Sequence, residues 1–285
     1  MTRPVTLLQP DAAQVASDVA RALAEDLGTG DATAALVPRG QVIARIVSKD
    51  AARAVLAGAA WAEACFRSLD PDVRFEWSCR DGDGFDRGHT LCTINGQARA
   101  LLSAERSALN FLQTLSATAT ATAAYVAAVA GTGCRILDTR KTLPGLRYAQ
   151  KYAVRAGGGD NHRIGLFDAV LIKENHITAA GGIAAAVTAA RAQSPGLLVE
   201  VEVENLAELE QALAAAADRI MLDEFNAPDR ASAVAMTQGR VPLEVSGNVT
   251  LDSIGDIARC GVDFVSVGAI TKHIRAVDLS LRISR

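Results

Sequence analysis

The chain has 285 residues, 49% of them hydrophobic and 21% charged, with a formal net charge of −3, which is enough material for one large core or two moderate ones. A balance this close to neutral removes the electrostatic ground for expecting nucleic acid or an anionic membrane surface as a partner. Five cysteines, at 65, 79, 92, 134 and 260, include no CxxC pair, so neither a disulfide framework nor a zinc site is expected and a reducing cytoplasm suits the chain.

Met1-Thr2-Arg3-Pro4 does not lead into an apolar run with a cleavage site, so no export signal is expected. Asp11 is placed to cap a helix from Ala12 to Leu27, with Val15, Val19, Ala22 and Leu23 at helical spacing and Gly28 to stop it. Strand-like runs follow at 42–47, 73–77 and 90–94, with a helix expected over 51–69. Asp81-Gly82-Asp83-Gly84 is a turn cluster between the last two runs and predicts antiparallel pairing. This half reads as an α+β open sandwich, an antiparallel sheet with helices on one face.

From Ser107 to Cys134 no residue is charged, a length that would span a bilayer. Asn110, Gln113, Thr114, Ser116, Thr118, Thr120 and Thr122 interrupt it, and its apolar positions are mostly alanine, which gains little from lipid. A long buried helix connecting two domains is the reading that fits. The expected boundaries are 1–112 for the first domain and 113–273 for the second, with 274–285 packing back on the first.

Beyond that helix, β-rich runs alternate with helix-length segments. The runs are 135–138, 169–172, 199–203, 219–222, 241–245 and 262–267, with starts 20 to 34 residues apart. This pitch implies parallel βαβ units, which curl into an αβ barrel or lie in a doubly wound open sheet. The polar strand ends favour a barrel: Thr139-Arg140-Lys141, Lys173-Glu174-Asn175, Glu202 with Glu204, Asp223-Glu224, Ser246-Gly247-Asn248 and Gly268-Ala269 succeed one another. Barrel enzymes draw their reactive groups from the carboxyl ends of several strands. Six runs, two short of a full barrel, make this domain an incomplete, TIM-like barrel.

Arg140, Lys141 and Lys173 stand at strand ends, with His162-Arg163 between them, a set suited to a ligand rich in carboxylate or phosphate. Solvated loop cations are the bland alternative, but Lys173 follows Val170-Leu171-Ile172 directly, and its stem is expected to be buried. Glu202 and Asp223 end neighbouring strands and either hold Mg²⁺ and sugar hydroxyls or serve as counter-ions to the lysines. Glu200, Glu202 and Glu204 share one face of their strand, and Glu200 and Glu204 are expected to be structural. Histidines 89, 162, 176 and 273 are not at metal-ligand spacing. Ser246-Gly247-Asn248 and Val267-Gly268-Ala269 are either tight βα turns or, together, a phosphate site after the last two strands. Gly157-Gly158-Gly159 lacks the continuation of a P-loop. A ligand set of carboxylates, a sugar phosphate and Mg²⁺ describes phosphoribosyl transfer to an acidic acceptor.

The motifs Glu25-Asp26-Leu27-Gly28-Thr29-Gly30-Asp31, Glu105-Arg106-Ser107-Ala108-Leu109-Asn110, Asp138-Thr139-Arg140-Lys141-Thr142, Asn161-His162-Arg163, Leu171-Ile172-Lys173-Glu174-Asn175-His176, Val201-Glu202-Val203-Glu204, Leu222-Asp223 and Glu244-Val245-Ser246-Gly247 follow in this order. In this order they resemble the quinolinate phosphoribosyltransferase family over nearly the whole chain. The resemblance implies conversion of quinolinate and phosphoribosyl pyrophosphate into nicotinate mononucleotide, pyrophosphate and CO₂, with Mg²⁺, in de novo NAD synthesis. It implies a homodimer whose active site is shared, Arg106 reaching into the neighbour's pocket. It also implies that Arg140, His162, Arg163 and Lys173 grip the two carboxylates, Lys141 lies near the substrates' junction, and Glu202 and Asp223 take ribose hydroxyls and metal. Thr139 lies among the substrate contacts, and Ser246, Gly247, Asn248, Val267, Gly268 and Ala269 take the 5′-phosphate. Lys141, Lys173, Glu202 and Asp223 are the implied catalytic set. Glu224 departs from the family pattern, which has asparagine there, and Lys272-His273 stands where some members have His-Ser. A paralogue associated with molybdenum transport and a non-catalytic phosphate-ligand sensor are the rival readings.

Overall fold

The computed structural model of the chain describes Leu7 and residues 9–284. The expectation about an export signal concerns Met1 to Pro4 and lies outside those residues. The fold divides into two compact units. An α+β unit takes the described residues up to Ala123, Thr142–Gly158 and the residues from Ala269 on; a barrel unit takes Ala124–Lys141 and Gly159–Gly268.

In chain order the elements are α1 (Ala12–Leu27), β1 (Gln41–Ser48), β2 (Ala54–Val55), α2 (Ala59–Leu69), β3 (Arg74–Trp77), β4 (Gly84–Phe85), β5 (Thr90–Gln97), α3 (Ala98–Ala128), β6 (Arg135–Leu137), α4 (Arg147–Ala156), β7 (Val170–Ile172) and α5 (Glu174–Ala180). They continue as α6 (Ile183–Gln193), β8 (Val199–Val203), α7 (Leu206–Ala214), β9 (Arg219–Asp223), α8 (Ala227–Thr237), β10 (Leu243–Ser246), α9 (Leu251–Arg259), β11 (Phe264–Ser266), α10 (Ala269–Lys272) and β12 (Leu279–Ser284).

In the α+β unit, Asp11 caps α1 by accepting a hydrogen bond from the Ala13 amide, and the helix buries Val15, Val19 and Leu23 before Gly28 ends it. An antiparallel sheet runs in the order β12-β1-β5-β3, and β2 pairs with β4 apart from it. The expected helix over 51–69 starts only at Ala59. The Val55 amide donates to Thr120 Oγ1 at 2.9 Å and the Ala57 amide to Ser116 Oγ at 3.1 Å, so α3 holds this stretch extended. Gly58, at φ 102, turns the chain into α2 where a β-carbon would meet Leu115 Cδ1 at 2.8 Å.

The uncharged run forms a helix shifted from its expected place: α3 begins at Ala98, directly after β5, and closes before Gly131 and Gly133, both at φ 83. Its hydroxyls explain the polarity that argued against lipid. Thr122 and Thr120 donate back to the carbonyls of Thr118 and Ser116 at 2.8 and 2.6 Å, and Ser116, Thr118 and Thr122 are fully buried. Among the described residues no helix is long and apolar enough to cross a membrane. Thr142–Gly158 is tied to the α+β unit by the buried Gln150, whose amide donates to the Thr271 carbonyl at 2.7 Å and to Thr118 Oγ1 at 3.2 Å while its oxygen accepts from the Leu143 amide at 2.8 Å.

The barrel unit contains a parallel sheet in the order β6-β11-β10-β9-β8-β7. This is the chain order cut between β6 and β7, with the last strand returned beside the first, which is a barrel wrap and not a doubly wound sheet. At the seam, Asp160 bridges to Leu137 in parallel and extends the β6 side. The α/β architecture with an incomplete, TIM-like barrel is therefore the observed one.

Candidate active site

The strands of the barrel unit carry charge where barrels usually carry aliphatic layers. In β8 the sequence Val-Glu-Val-Glu-Val places three valines on one face and the glutamates on the other, and α6 and α7 pack against this strand. Along the glutamate face Glu200 is fully buried, the Glu202 side chain is 12% exposed and Glu204 is exposed. That gradient runs toward the carboxyl ends of the strands, the end on which barrel enzymes build their sites.

At this rim Lys173 Nζ forms an ion pair with Glu202 Oε2. The Lys173 side chain is 46% exposed, so its stem is not buried as expected. The cause is the position of β7, the last strand of the sheet, where Val170 and Leu171 are themselves only half-buried. Asp223 ends β9 opposite Ser246 of β10. Glu202 and Asp223 thus offer two carboxylates from neighbouring strand ends, and hard oxygen donors of that number fit Mg²⁺, which takes one or two protein carboxylates alongside substrate phosphates.

The turn after β10 is shaped by Glu224. Gly247 stands at φ 101, and a β-carbon there would lie 2.7 Å from Glu224 Cγ. Asn248 Nδ2 donates to Glu224 Oε1 at 3.1 Å, and the Glu224 amide donates to the Ser246 carbonyl at 3.1 Å. After β11, Val267 is buried and its amide donates to the Leu137 carbonyl at 2.9 Å. Gly268 leaves room for Lys141, whose Cδ would be 3.1 Å from a β-carbon, and Thr139 Oγ1 accepts from the Lys141 amide at 3.0 Å. Ala269 starts α10, in the α+β unit.

The segment carrying His162 and Arg163 hangs on Asp138, a fully buried carboxylate just past β6. Asp138 Oδ1 accepts from the His162 amide at 2.9 Å and Oδ2 from Asn161 Nδ2 at 2.6 Å. Arg163 Nη1 donates to the Ala169 carbonyl at 3.3 Å. Burial first, and then the neighbouring Arg140 guanidinium, push the pKa of Arg163 down. Two guanidiniums near each other, the exposed Arg140 and the partly desolvated Arg163, suit an anion with more than one carboxylate.

Beneath the rim lies a cluster that the spacing of residues did not reveal. His162 Nε2 is 2.9 Å from Glu200 Oε2 and 3.6 Å from Glu244 Oε2, and Arg219 Nη1 is 3.4 Å from Glu244 Oε2. Arg219 also lies over the Phe264 ring, 4.5 Å from its centroid. Burial raises the pKa of Glu200. Burial, reinforced by the Glu200 charge, pushes Glu244 up to about 8, against the opposing pull of His162, Ser266 and Arg219. The available signal was the charge interrupting apolar runs, in Val199-Glu200-Val201 and Leu243-Glu244-Val245.

Arg106 is exposed on α3 in the α+β unit. The same unit has an open cleft of about 620 Å³ whose lining includes Gly28, Thr29, Gly30, Arg39 and Arg99. Asp31 at its edge accepts from Ser103 Oγ at 2.6 Å, the main reason its pKa is lowered.

Residues 31–116 match the family model of the quinolinate phosphoribosyl transferase N-terminal domain, and residues 118–282 that of its C-terminal domain. The carboxylating nicotinate-nucleotide pyrophosphorylase of Mycobacterium leprae is 42% identical over 274 residues, covering 92% of this chain and 95% of that protein. The solved nicotinate-nucleotide pyrophosphorylase of Francisella tularensis superposes with a TM-score of 0.92 at 47% identity, over 98% of this chain and 99% of that one. The corresponding Ehrlichia chaffeensis structure gives 0.89 at 36% identity, over 94% and 98%.

Proposed function

The chain belongs to the quinolinate phosphoribosyltransferase family, and from that premise we propose that it transfers phosphoribosyl from phosphoribosyl pyrophosphate to quinolinate. The products are nicotinate mononucleotide, pyrophosphate and CO₂, a step of NAD synthesis. The observation that carries this reading is the placing of Arg163, partly desolvated and anchored through its Nη1 to the Ala169 carbonyl, beside the cation of Arg140 in the barrel unit. Two neighbouring cations of this kind suit an anion, and the two adjacent carboxylates of quinolinate match two guanidiniums.

Departure of pyrophosphate builds positive charge on the ribose, and loss of CO₂ leaves an electron pair on the ring. Fixed charges serve both steps without reorganising. Holding the ring nitrogen in line with the sugar carbon accounts for roughly 7–11 kcal/mol of barrier by effective molarity. Arg140, Arg163 and Lys173 hold and orient the dicarboxylate, and Lys141 sits near the junction of the two substrates. Glu202 and Asp223 accept from the ribose hydroxyls, and the turns at Ser246-Gly247-Asn248 and Val267-Gly268-Ala269 receive the 5′-phosphate through backbone amides. Mg²⁺ held by Glu202 and Asp223 supplies charge neutralisation for pyrophosphate when bound. No cysteine has a part: burial raises the thiols of Cys65, Cys92 and Cys134 to about 12, and all five cysteines are free, in keeping with a cytoplasmic setting. The exposed Arg106 serves the site of a second copy, so the active assembly is a homodimer.

The test is direct. Purified protein incubated with quinolinate, phosphoribosyl pyrophosphate and Mg²⁺ should release CO₂ and nicotinate mononucleotide in equal amounts. Folded protein that forms neither would overturn the proposal.

A further inference from the structure

The buried cluster beneath the rim has no part in the chemistry just described. His162, Glu200 and Glu244 present ligand-type atoms all within 4.8 Å of one another, as a metal centre would. Hydrogen bonding around the imidazole decides otherwise. The Arg163 amide donates to His162 Nδ1 at 2.7 Å, so Nδ1 holds a lone pair and the neutral ring carries its proton on Nε2. That nitrogen lies 2.9 Å from Glu200 Oε2 and 3.6 Å from Glu244 Oε2, an ion-pair contact outside hydrogen-bond geometry. A metal-bound histidine has the reverse arrangement, donating from the nitrogen remote from the ion. The Arg163 amide on Nδ1 thus favours a protonated Nε2 over a metal-bound one.

We infer that His162 acts through Arg163: the buried Glu200–Glu244 pair, braced by Arg219, fixes the imidazole, and the imidazole fixes the backbone of Arg163 for the acidic ring of the substrate. This rests on the quinolinate reading above and departs from direct contact between His162 and substrate. His162 is held at both ends. Its amide is bound by Asp138, its side chain is 8% exposed, and its Nδ1 is occupied by the Arg163 amide. Arg163 is then pinned at its amide by His162 and at Nη1 by the Ala169 carbonyl, two anchors on either side of the guanidinium that faces Arg140. Burying two carboxylates side by side is expensive, and an apolar core of the same volume is commonly as stable or more so. What the apolar core would not provide is an acceptor that holds a histidine in one tautomer and one rotation. Glu244 and His162 are on this account positioning residues, since neither touches the reacting atoms.

The experiment compares the kinetics of Glu244→Leu, Glu244→Gln and His162→Ala with the ring tautomer in the unmodified protein. Glu244→Leu should raise KM for quinolinate by about 10- to 100-fold while KM for phosphoribosyl pyrophosphate stays within about two-fold and the melting midpoint does not fall. Glu244→Gln, which retains a neutral hydrogen-bonding side chain, should restore most of the quinolinate affinity. In the His162→Ala background Glu244→Leu should add nothing further, because both act on one chain of contacts. Nitrogen-15 spectra of folded, unmodified protein at neutral pH should show His162 with Nε2 protonated and Nδ1 bare, a readout that stands even if a variant fails to fold. An unchanged quinolinate KM in folded Glu244→Leu, an equal rise in both KM values, additive effects in the double variant, a proton on Nδ1, or a stoichiometric divalent metal lost on Glu244→Gln would each overturn the inference. Lack of turnover by the unmodified protein would instead refute the quinolinate reading and leave the tautomer result to stand alone.

Discussion

Gly157 approaches Ala119 so closely that a β-carbon on the glycine would stand 2.3 Å from the Ala119 carbonyl oxygen. The same position lies 2.7 Å from Thr122 Cβ, so the start of the Gly157-Gly158-Gly159 run is a crossing point of α4 and α3 within the α+β unit. Its φ of −75° is open to any residue, which makes the constraint purely steric. Gly157→Ala should destabilise by about 1–3 kcal/mol, as overpacking does when the opposing atom is backbone. Thermal unfolding should show a fall of several degrees; an unchanged midpoint would mean that the helices separate freely.

Gly268 serves Lys141 in a similar way. A β-carbon at Gly268 would come within 3.1 Å of Lys141 Cδ and 3.5 Å of Thr139 Oγ1. The side chain there is flexible, so Gly268→Ala should cost little stability and instead displace the Lys141 ammonium. Turnover number should fall on the order of 10²-fold for a displacement near 1 Å, with the melting midpoint nearly unchanged. A large drop in midpoint with turnover per folded molecule intact would reverse the assignment of Lys141 to the substrates' junction.

The barrel was legible because polar or glycine residues follow each apolar run, a pattern local enough to read along the chain. Period-2 burial in Val199-Glu200-Val201-Glu202-Val203 was legible for the same reason. Other features depend on partners distant in sequence. Val55 and Ala57 have helix-compatible neighbours, yet their amides are claimed by Thr120 and Ser116 more than fifty residues away. The His162 cluster joins a loop to β8, β9 and β10, so no spacing rule finds it. The exposure of Lys173 follows from β7 lying at a seam, and which strand ends at the seam is a property of closure, not of Val170-Leu171-Ile172.

Glu244 gives the protein a pH dependence of definite sign. It faces Glu200 from β8, Arg219 from β9, Ser266 from β11 and the His162 ring, and burial is the largest cause of its raised pKa, about 8. The folded state therefore keeps a proton that the unfolded chain releases in the ordinary carboxylate range. Stability from this group is full below that range and is lost as pH rises through about 8. The melting midpoint should decline across that interval, and Glu244→Gln, neutral throughout, should flatten the decline. An equally steep decline in Glu244→Gln would place the titrating group elsewhere.

Arg106 and Lys173 test the assembly. Arg106 is exposed on α3 of the α+β unit, whereas Lys173 pairs with Glu202 at the rim of the barrel unit. If Arg106 completes the site of a second copy, Arg106→Ala and Lys173→Ala damage different halves of each site. Each variant alone should be nearly inactive. Lys173→Ala should also leave the melting midpoint close to that of the unmodified protein, since a half-exposed ion pair contributes about 0–1 kcal/mol. Mixing the two variants through dissociation and reassociation should recover activity, because a mixed dimer holds one site with both defects and one with neither. Half of the dimers in an equimolar mixture are mixed, so recovery should approach about a quarter of the unmodified rate. Verified mixed dimers without recovered activity would show that Arg106 and Lys173 do not meet across copies.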